Sequence, residues 1–408
     1  MIILFECPQS LLQDLKHVHG ANLISTTLFN AFVTQTQHTF IFITDGSPSD
    51  CNRLTDTYCK NTPHFFTTYN TLKVTLKRHQ LLPTVAFIND INMIRMLRFR
   101  SLNTFNFPVI GLIHSLGTPS ALQHLQTLFP LLQSNDRFIC PSRDTQETLI
   151  KCGLPASYST VIGYGIDTEL FKPSNNKQSL RQQLGLPTDK TLMLLVTRIN
   201  PYFKMDITPL LRQLPSLIKQ VPDLTLCIVG NIQNQHYYEQ LVHFITEHKL
   251  EKHVHWVTKP NKMHMYYQCA DFFVSLSDAP GETFGLTVME AMACGLPVII
   301  NNYAGYKDHF THNKEGLYVT SIGGAVNYDH AFYVHDLTDY ADMYAQSMAL
   351  DHRQLTESII LLASQPDTRN RLGQAARTKI ETHNQLHDWI NHYFDYFLET
   401  STLPATDT

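Results

Sequence analysis

Residues 270–305 read ADFFVSLSDAPGETFGLTVMEAMACGLPVIINNYAG. The apolar run Phe272-Phe273-Val274 fits a short buried strand. A turn-rich link follows, Ser277-Asp278-Ala279-Pro280-Gly281, and then Glu282-Thr283-Phe284-Gly285. The apolar run from Leu286 to about Cys294 predicts a helix. Gly295-Leu296-Pro297 ends it, since glycine suits a helix C-terminus and proline cannot continue one. Val298-Ile299-Ile300 is the next strand. Strand, loop, helix, strand is the repeating unit of a parallel α/β sheet.

The chemistry of this stretch lies where the loop enters the helix. A helix that begins near Gly285 aims unpaired N–H groups and a partial positive charge at whatever precedes it. Such an end favours a phosphate, and a residue without Cβ lets an anion approach the backbone. Glu282 stands in the loop and Glu290 on the helix, eight positions apart. Two carboxylates cannot hold the same phosphate, so their natural ligands are hydroxyls. A phosphate cradle beside two hydroxyl acceptors describes a nucleotide sugar. A bare pair of glutamates at this spacing would otherwise read as ordinary surface charge.

Glu282-x-Phe284-Gly285-x-x-x-x-Glu290, followed by Ala291-Met292-Ala293-Cys294-Gly295-x-Pro297-Val298, resembles the signature of the group 1 glycosyltransferases. These are the GT4-like retaining enzymes of the GT-B fold. The resemblance implies two doubly wound, Rossmann-like α/β domains facing a central cleft. It implies that Glu290 holds the donor ribose and that Glu282 contacts the donor sugar. It also implies that backbone N–H groups around Gly285, from Phe284 to Leu286, hold the diphosphate.

The whole chain allows this. Its 408 residues suffice for two domains, and 43% hydrophobic against 16% charged residues permits a sizeable core. With 31 basic and 35 acidic residues there is no basic field of the kind a nucleic-acid partner needs. The eight cysteines form no Cys-x-x-Cys pair, and several, such as Cys227 in LTLCIVG, sit in apolar runs. They read as buried thiols of a reducing compartment. No metal-ligand cluster of the His-Glu-x-x-His kind occurs, and no apolar run approaches the ~18 residues of a membrane span. The start, MIILFE, lacks the basic region and long apolar core of a signal peptide and reads as the first strand of a cytoplasmic protein.

In the first half, Ile2–Phe5, Thr39–Thr44, Phe65-Phe66 and Thr84–Ile88 read as strands, and Leu23–Val33 as a helix. The family carries a glycine-rich loop after its first strand; here only Gly20 stands near such a place, at stretched spacing, and an ordinary turn glycine is the competing reading. In INMIRMLRFR, Arg95, Arg98 and Arg100 alternate with apolar residues. That pattern suits either a peripheral membrane contact through 93–100 or a solvated helix edge over a core stripe. Pro108–Ile113 is a strand that delivers His114 to the carboxyl end of the sheet, where ligands of open α/β sheets bind. The resemblance implies that His114 approaches the donor sugar. Ser142 after the strand Asp136–Cys140 makes a sufficient helix cap. The run Val161–Pro173 resembles the family's connection between domains, with Gly163-Tyr164-Gly165 where Pro-Asn-Gly is usual.

In the second half, Leu192–Val196 ends at Thr197-Arg198, and Lys204 follows six positions later. Two fixed cations past a strand's carboxyl end can clamp a diphosphate and neutralise the charge that grows as the glycosidic bond breaks. The resemblance implies that role for Arg198 and Lys204, although Thr197 and Met205 replace glycines common there. Leu224–Val229 is a strand that ends at Gly230, implied to lie beside the nucleotide. Asp308 stands where a Glu is common. Residues 320–350 do not fit the family's spacing and read as an insertion. Residues 351–383 read as helical, and His387–Glu399 as a final helix with one aromatic side.

The expected organisation is an acceptor-side domain over 1–173 and a nucleotide-sugar domain over 174–383. A helix at 384–400 returns to the first domain, and a disordered tail follows at 401–408. The expected reaction moves a hexosyl unit from a UDP- or GDP-sugar to a saccharide, lipid or protein acceptor. The candidate catalytic residues are His114, Glu282, Arg198 and Lys204. No Asp-x-Asp triplet occurs, which agrees with cations and a helix end serving the diphosphate in place of a metal, and no cofactor is expected. A sugar-nucleotide epimerase and a catalytically inert GT-B binding module are the alternatives from other classes.

Overall fold

Strands such as Thr191–Val196 and Leu224–Val229 carry apolar residues at almost every position. Strands of that kind are buried on both faces, as in a parallel sheet covered by helices on each side. The computed structural model, which describes residues 1–7, 20–35, 37–202, 204–323 and 337–405, contains two such sheets. They belong to two units. Unit 1 comprises Met1–Leu116, Ser120–Tyr164 and His387–Thr408; unit 2 comprises Gly117–Pro119 and Gly165–Leu386.

The sheet of unit 1 is built from β1 (Ile2–Glu6), β2 (Thr39–Ile43), β3 (His64–Thr67), β4 (Val85–Ile88), β5 (Val109–Leu112), β6 (Arg137–Cys140) and β7 (Ser159–Val161). Their order is β3-β2-β1-β4-β5-β6-β7, and every pairing is parallel. Gly20 is the first residue of the helix Gly20–Phe32 rather than part of a turn, and the segment between β1 and that helix lies outside the described residues. The core on this side is aromatic. Phe5 packs among Phe29, Phe32, Phe42 and Phe87 at centroid distances of 5.6–5.9 Å. The helix Leu386–Ser401 completes it, with Phe394 5.0 Å from Phe32 and Phe397 5.2 Å from Phe87.

The basic segment is partly buried. In the helix Ile94–Leu102, Leu102 is exposed, Ile94 and Phe99 are half-buried, and Met96 and Leu97 turn into the core. Arg100 is buried as well. Its guanidinium donates to both Asp136 oxygens at 2.5 and 2.7 Å, and Asp136 also accepts the Val109 and Gln133 N–H groups. A buried pair with its remaining lone pairs satisfied fixes one arrangement of neighbouring strands and helix. Arg95 stays on the surface, over the Tyr69 ring and beside Asp45.

Unit 2 repeats the plan. β8 (Thr191–Val196), β9 (Leu224–Val229), β10 (Val254–Val257), β11 (Phe272–Ser275), β12 (Val298–Asn301) and β13 (Gly316–Val319) pair in the order β10-β9-β8-β11-β12-β13, again all parallel. The order reverses between β8 and β11, and the carboxyl end of such a reversal is where open α/β sheets bind ligands. The segment read as an insertion leaves β13 through β14 (Ser321–Ile322) and returns through β15 (Ala349–Leu350), paired antiparallel. It carries the helix Leu337–Gln346, while 324–336 lie outside the described residues. All eight cysteines are free thiols, six buried and Cys51 and Cys152 half-buried. Among the described residues no helix is long and apolar enough to cross a membrane.

Candidate active site of the second unit

Two loops leave the carboxyl ends of β8 and β11 and are tied together. The Ser277 hydroxyl donates to the Lys204 carbonyl at 3.1 Å, and the Asp206 N–H donates to the Asp278 carboxylate at 3.1 Å. The third tie joins two residues singled out from sequence: Lys204 Nζ donates to Glu282 Oε2 at 2.8 Å. Glu282 is the buried partner, with 6% of its side chain exposed against 34% for Lys204. Arg198 is half-buried at the start of the same loop. Desolvation lowers its pKa, and the nearby charge of Glu282 partly opposes that. Arg198, Lys204 and Glu282 thus form one group, two cations about a buried carboxylate.

Gly285 begins the helix Leu286–Ala293 from the left-handed region, at φ 90°, without a side-chain cap. Val288 and Met289 are the first residues whose N–H groups reach the Gly285 carbonyl. The N–H groups of Leu286 and Thr287 therefore have no acceptor within the helix, as a phosphate-binding end requires. The reason for glycine differs from the one expected. A Cβ here would fall 2.3 Å from the Tyr306 ring, so packing as well as φ demands its absence. Gly230 is similar: at φ 155° a Cβ would lie 1.7 Å from the Thr197 carbonyl oxygen. It lets the β9 loop pass against the start of the cationic loop.

A second loop, 301–309, supports the first, and sequence reasoning missed it. The Asn301 amide donates to the Ser277 carbonyl at 2.7 Å, and the Tyr303 hydroxyl to the Ala279 carbonyl at 2.9 Å. The Gly305 N–H donates to the Glu282 carbonyl at 3.3 Å, and Tyr306 shares a hydrogen bond with Ser275 at 2.8 Å. His309 bonds the Phe284 carbonyl through Nε2 and stands edge-on to the Phe284 ring. Burial pushes its pKa down to about 4, so the imidazole is neutral and donates that bond. Asp308 stays exposed beside it. Tyrosine and histidine spaced three apart in NNYAGYKDHF carry no local signal of this role.

Glu290 lies apart from the ion pair. It is buried on the helix Leu286–Ala293 and accepts the Tyr267 hydroxyl at Oε2, 2.7 Å away. Desolvation raises its pKa to about 7, with the Tyr267 bond acting the other way. An acid raised in the folded chain contributes stability that is whole below its ordinary value of 4.5 and is lost as pH rises through about 7. Asp278, also raised to about 7 by burial, acts in the same direction. His309 acts in the opposite one, adding stability as pH rises from about 4. The difference between variant and wild type isolates Glu290. Glu290→Gln is expected to gain on wild type by about 2–3 kcal/mol as pH rises from about 5 to about 8, since most of the shift from 4.5 to about 7 falls in that window and one pKa unit is worth about 1.4 kcal/mol. Denaturant melts at both pH values check this, and an equal difference at both would show an unshifted carboxyl.

His114 belongs to unit 1, just beyond β5. Its Nε2 lies 3.1 Å from the Asn89 carbonyl and its Nδ1 3.3 Å from the Tyr164 hydroxyl. One neutral tautomer satisfies both, and desolvation lowers its pKa. Ser142 accepts the Thr145 N–H and caps the helix Arg143–Lys151.

Two family descriptions match the chain. Residues 30–170 match Glycosyltransferase Family 4, and residues 176–322 match Glycosyl transferases group 1. D-inositol 3-phosphate glycosyltransferase 2 of Catenulispora acidiphila is 26% identical over 60% of this chain and 58% of its own length. The D-inositol 3-phosphate glycosyltransferase of Thermobifida fusca is 28% identical over 63% of this chain and 54% of its own. The match thus spans a little over half the length of these curated relatives. A GDP-mannose-dependent alpha-(1-6)-phosphatidylinositol monomannoside mannosyltransferase of Mycolicibacterium smegmatis is 27% identical over 44% of this chain and 47% of its own length. Among solved structures, Anabaena HepE in complex with UDP and glucose is similar over 98% of this chain and 99% of its own, with TM-score 0.69 and 19% identity. A glycosyltransferase of Rickettsia africae gives TM-score 0.74 at 15% identity over 99% of each chain. Likeness at that identity concerns the fold, which is GT-B. The matched descriptions fall one before and one after residue 175, and the chain belongs to the group 1, family 4 glycosyltransferases.

Proposed function

We propose that the chain transfers a hexosyl unit from a nucleoside diphosphate sugar to an acceptor, with retention of the anomeric configuration. The observation that carries this reading is the grouping of Arg198, Lys204 and Glu282 at the strand reversal of unit 2. Arg198 and Lys204 neutralise the departing diphosphate. The free N–H groups that follow Phe284 and Gly285, those of Leu286 and Thr287, hold a phosphate. Glu290 keeps Oε1 for a ribose hydroxyl while Tyr267 occupies Oε2. Glu282 holds the sugar as positive charge develops at its anomeric carbon. His114 is assigned to the same sugar, Gly20 to the donor side and Gly230 to the nucleotide side, by resemblance to the family. Neutral His114 suits a hydrogen-bonding role better than a charged one.

HepE's complexes with UDP and UDP-glucose support a uridine donor, and the mycobacterial relative's name supports a guanosine one. The acceptor is a saccharide, lipid or protein; the relative named for monoglucosyldiacylglycerol supports a lipid, and those named for inositol 3-phosphate, a phosphorylated cyclic polyol, support a small hydroxylated acceptor. A cytoplasmic setting fits eight thiols without a disulfide. The charge on the diphosphate is met by side chains and the helix end, so no metal or cofactor enters the proposal.

Calorimetry with UDP and GDP, then a donor panel assayed for nucleotide release with and without sugar acceptors, tests the function. One diphosphate should bind, and release should require an acceptor or water. Glu290→Ala should bind it about tenfold more weakly or worse. Excess EDTA should leave turnover within severalfold. Conversion of the donor without release of free diphosphate would mark an epimerase, and binding with no turnover an inert module.

A further inference from the structure

The inserted segment is firmly rooted. At its neck Ser321 pairs with Leu350 and Ile322 with Ala349, and the Asp351 N–H donates to the Thr320 carbonyl at 2.9 Å. Gly323, at φ +94°, leaves no room for a Cβ, which would fall 2.0 Å from the Ser347 carbonyl oxygen. The root is also tied to the supporting loop: Asn302 Oδ1 accepts the Ser321 N–H at 2.7 Å and its hydroxyl at 3.1 Å. Beyond the neck, the helix Leu337–Gln346 buries Tyr340 and Tyr344. The Tyr344 ring meets Tyr303 edge-on at 6.2 Å, and Met348 packs on the cluster of Tyr303, Ala304 and Tyr344.

Tyr303 is therefore held from one side by the insertion, and on the other it holds the donor loop. Its hydroxyl fixes the Ala279 carbonyl, which in turn accepts the Glu282 N–H at 3.2 Å. Two residues on, a Cβ at Gly305 would lie 2.0 Å from the Thr283 carbonyl oxygen, so a shift of the Tyr303 backbone is passed directly to the turn that bears Glu282. We propose that the inserted helix positions the donor loop, with Tyr344 and Tyr303 as positioning residues between the insertion and the Glu282 turn. This rests on the donor reading of that loop given above. The insertion then tunes how nucleoside diphosphate sugars are held without touching them. By linkage, a ligand that orders the loop must also steady the inserted helix.

The test uses the full chain. In wild type, saturating UDP or GDP, whichever binds, should slow amide exchange in Leu337–Gln346. Tyr344→Ala should weaken that diphosphate about three- to tenfold, the range expected of a coupling residue. Tyr344→Phe, which keeps the ring, should restore most of the affinity. Tyr303→Phe removes one hydroxyl and should both weaken binding and abolish the exchange effect at 337–346, whether or not Tyr344→Ala folds. A purely structural tyrosine would lower the melting temperature and leave these two readouts alone. Wild-type affinity in Tyr303→Phe, with no exchange effect in the wild-type chain, overturns the proposal. A folded wild-type chain that binds neither diphosphate overturns the donor reading itself, and this proposal with it.

Discussion

Lys204→Ala is expected to bind the nucleoside diphosphate about ten- to hundredfold more weakly than wild type, the equivalent of roughly 1.5–3 kcal/mol for a charge-assisted partner. Two effects add. The phosphate loses a cation, and Glu282, with 6% of its side chain exposed, keeps only Arg198 to offset its charge beside the ligand's own. An exposed pair would be worth less than about 1 kcal/mol, and Lys204 is itself one-third exposed. The buried carboxylate places the expected loss above that. Adding Glu282→Gln to Lys204→Ala should recover part of the affinity by removing the repulsion, a coupling that a double-mutant cycle measures. Unchanged calorimetric affinity in Lys204→Ala would remove the cation from the site.

Glu282→Gln alone is expected to act the other way on binding and more strongly on the reaction. Glu282 holds Lys204 at 2.8 Å, in competition with any phosphate. The neutral amide releases the ammonium, so free UDP or GDP should bind at least as tightly as to wild type. Turnover should nevertheless fall at least about tenfold. A carboxylate on the sugar side strengthens its contact as positive charge grows, and Gln cannot follow that change. Tenfold is about 1.4 kcal/mol of barrier, well within one such contact. Calorimetry with the diphosphate beside single-turnover transfer separates the two effects. Lost affinity with kept turnover would mean that the roles of Glu282 and Glu290 are exchanged.

What the sequence discloses here follows from the range of each interaction. β8, β9, β11 and β12 are legible because a strand buried on both faces is an unbroken apolar run. The helix start at Gly285 and the cations after β8 are legible for the same local reason. The Lys204–Glu282 bond joins residues 78 apart, and nothing local to either announces it. The loop 301–309 was invisible because Tyr303 and His309 act on carbonyls some 24–25 residues upstream and Tyr306 on the Ser275 hydroxyl 31 residues upstream. Arg100 misled in the opposite sense: its basic, apolar neighbourhood looked like surface, yet its partner Asp136 lies 36 positions on. Gly285 reads as a position where a missing Cβ admits an anion, but it is Tyr306 that claims the space; at Gly230, read only as a neighbour of the nucleotide, Thr197 claims it.

The aromatic core of unit 1 has a consequence for how the chain is made. Phe32 and Phe87 belong to its first hundred residues, whereas Tyr393, Phe394 and Phe397, which cover them, are among its last. Unit 2, almost wholly the continuous run 165–386, emerges from the ribosome before those covers do. The usual order of synthesis, in which the N-terminal unit folds first, is therefore reversed for the final closure. Throughout the synthesis of unit 2, the nascent first sheet must wait with an open aromatic face. Each large side chain left bare in that interval withholds roughly 1.5–3 kcal/mol. A nascent chain stalled before residue 387 thus presents to chaperones a folded second unit and an unfinished first one.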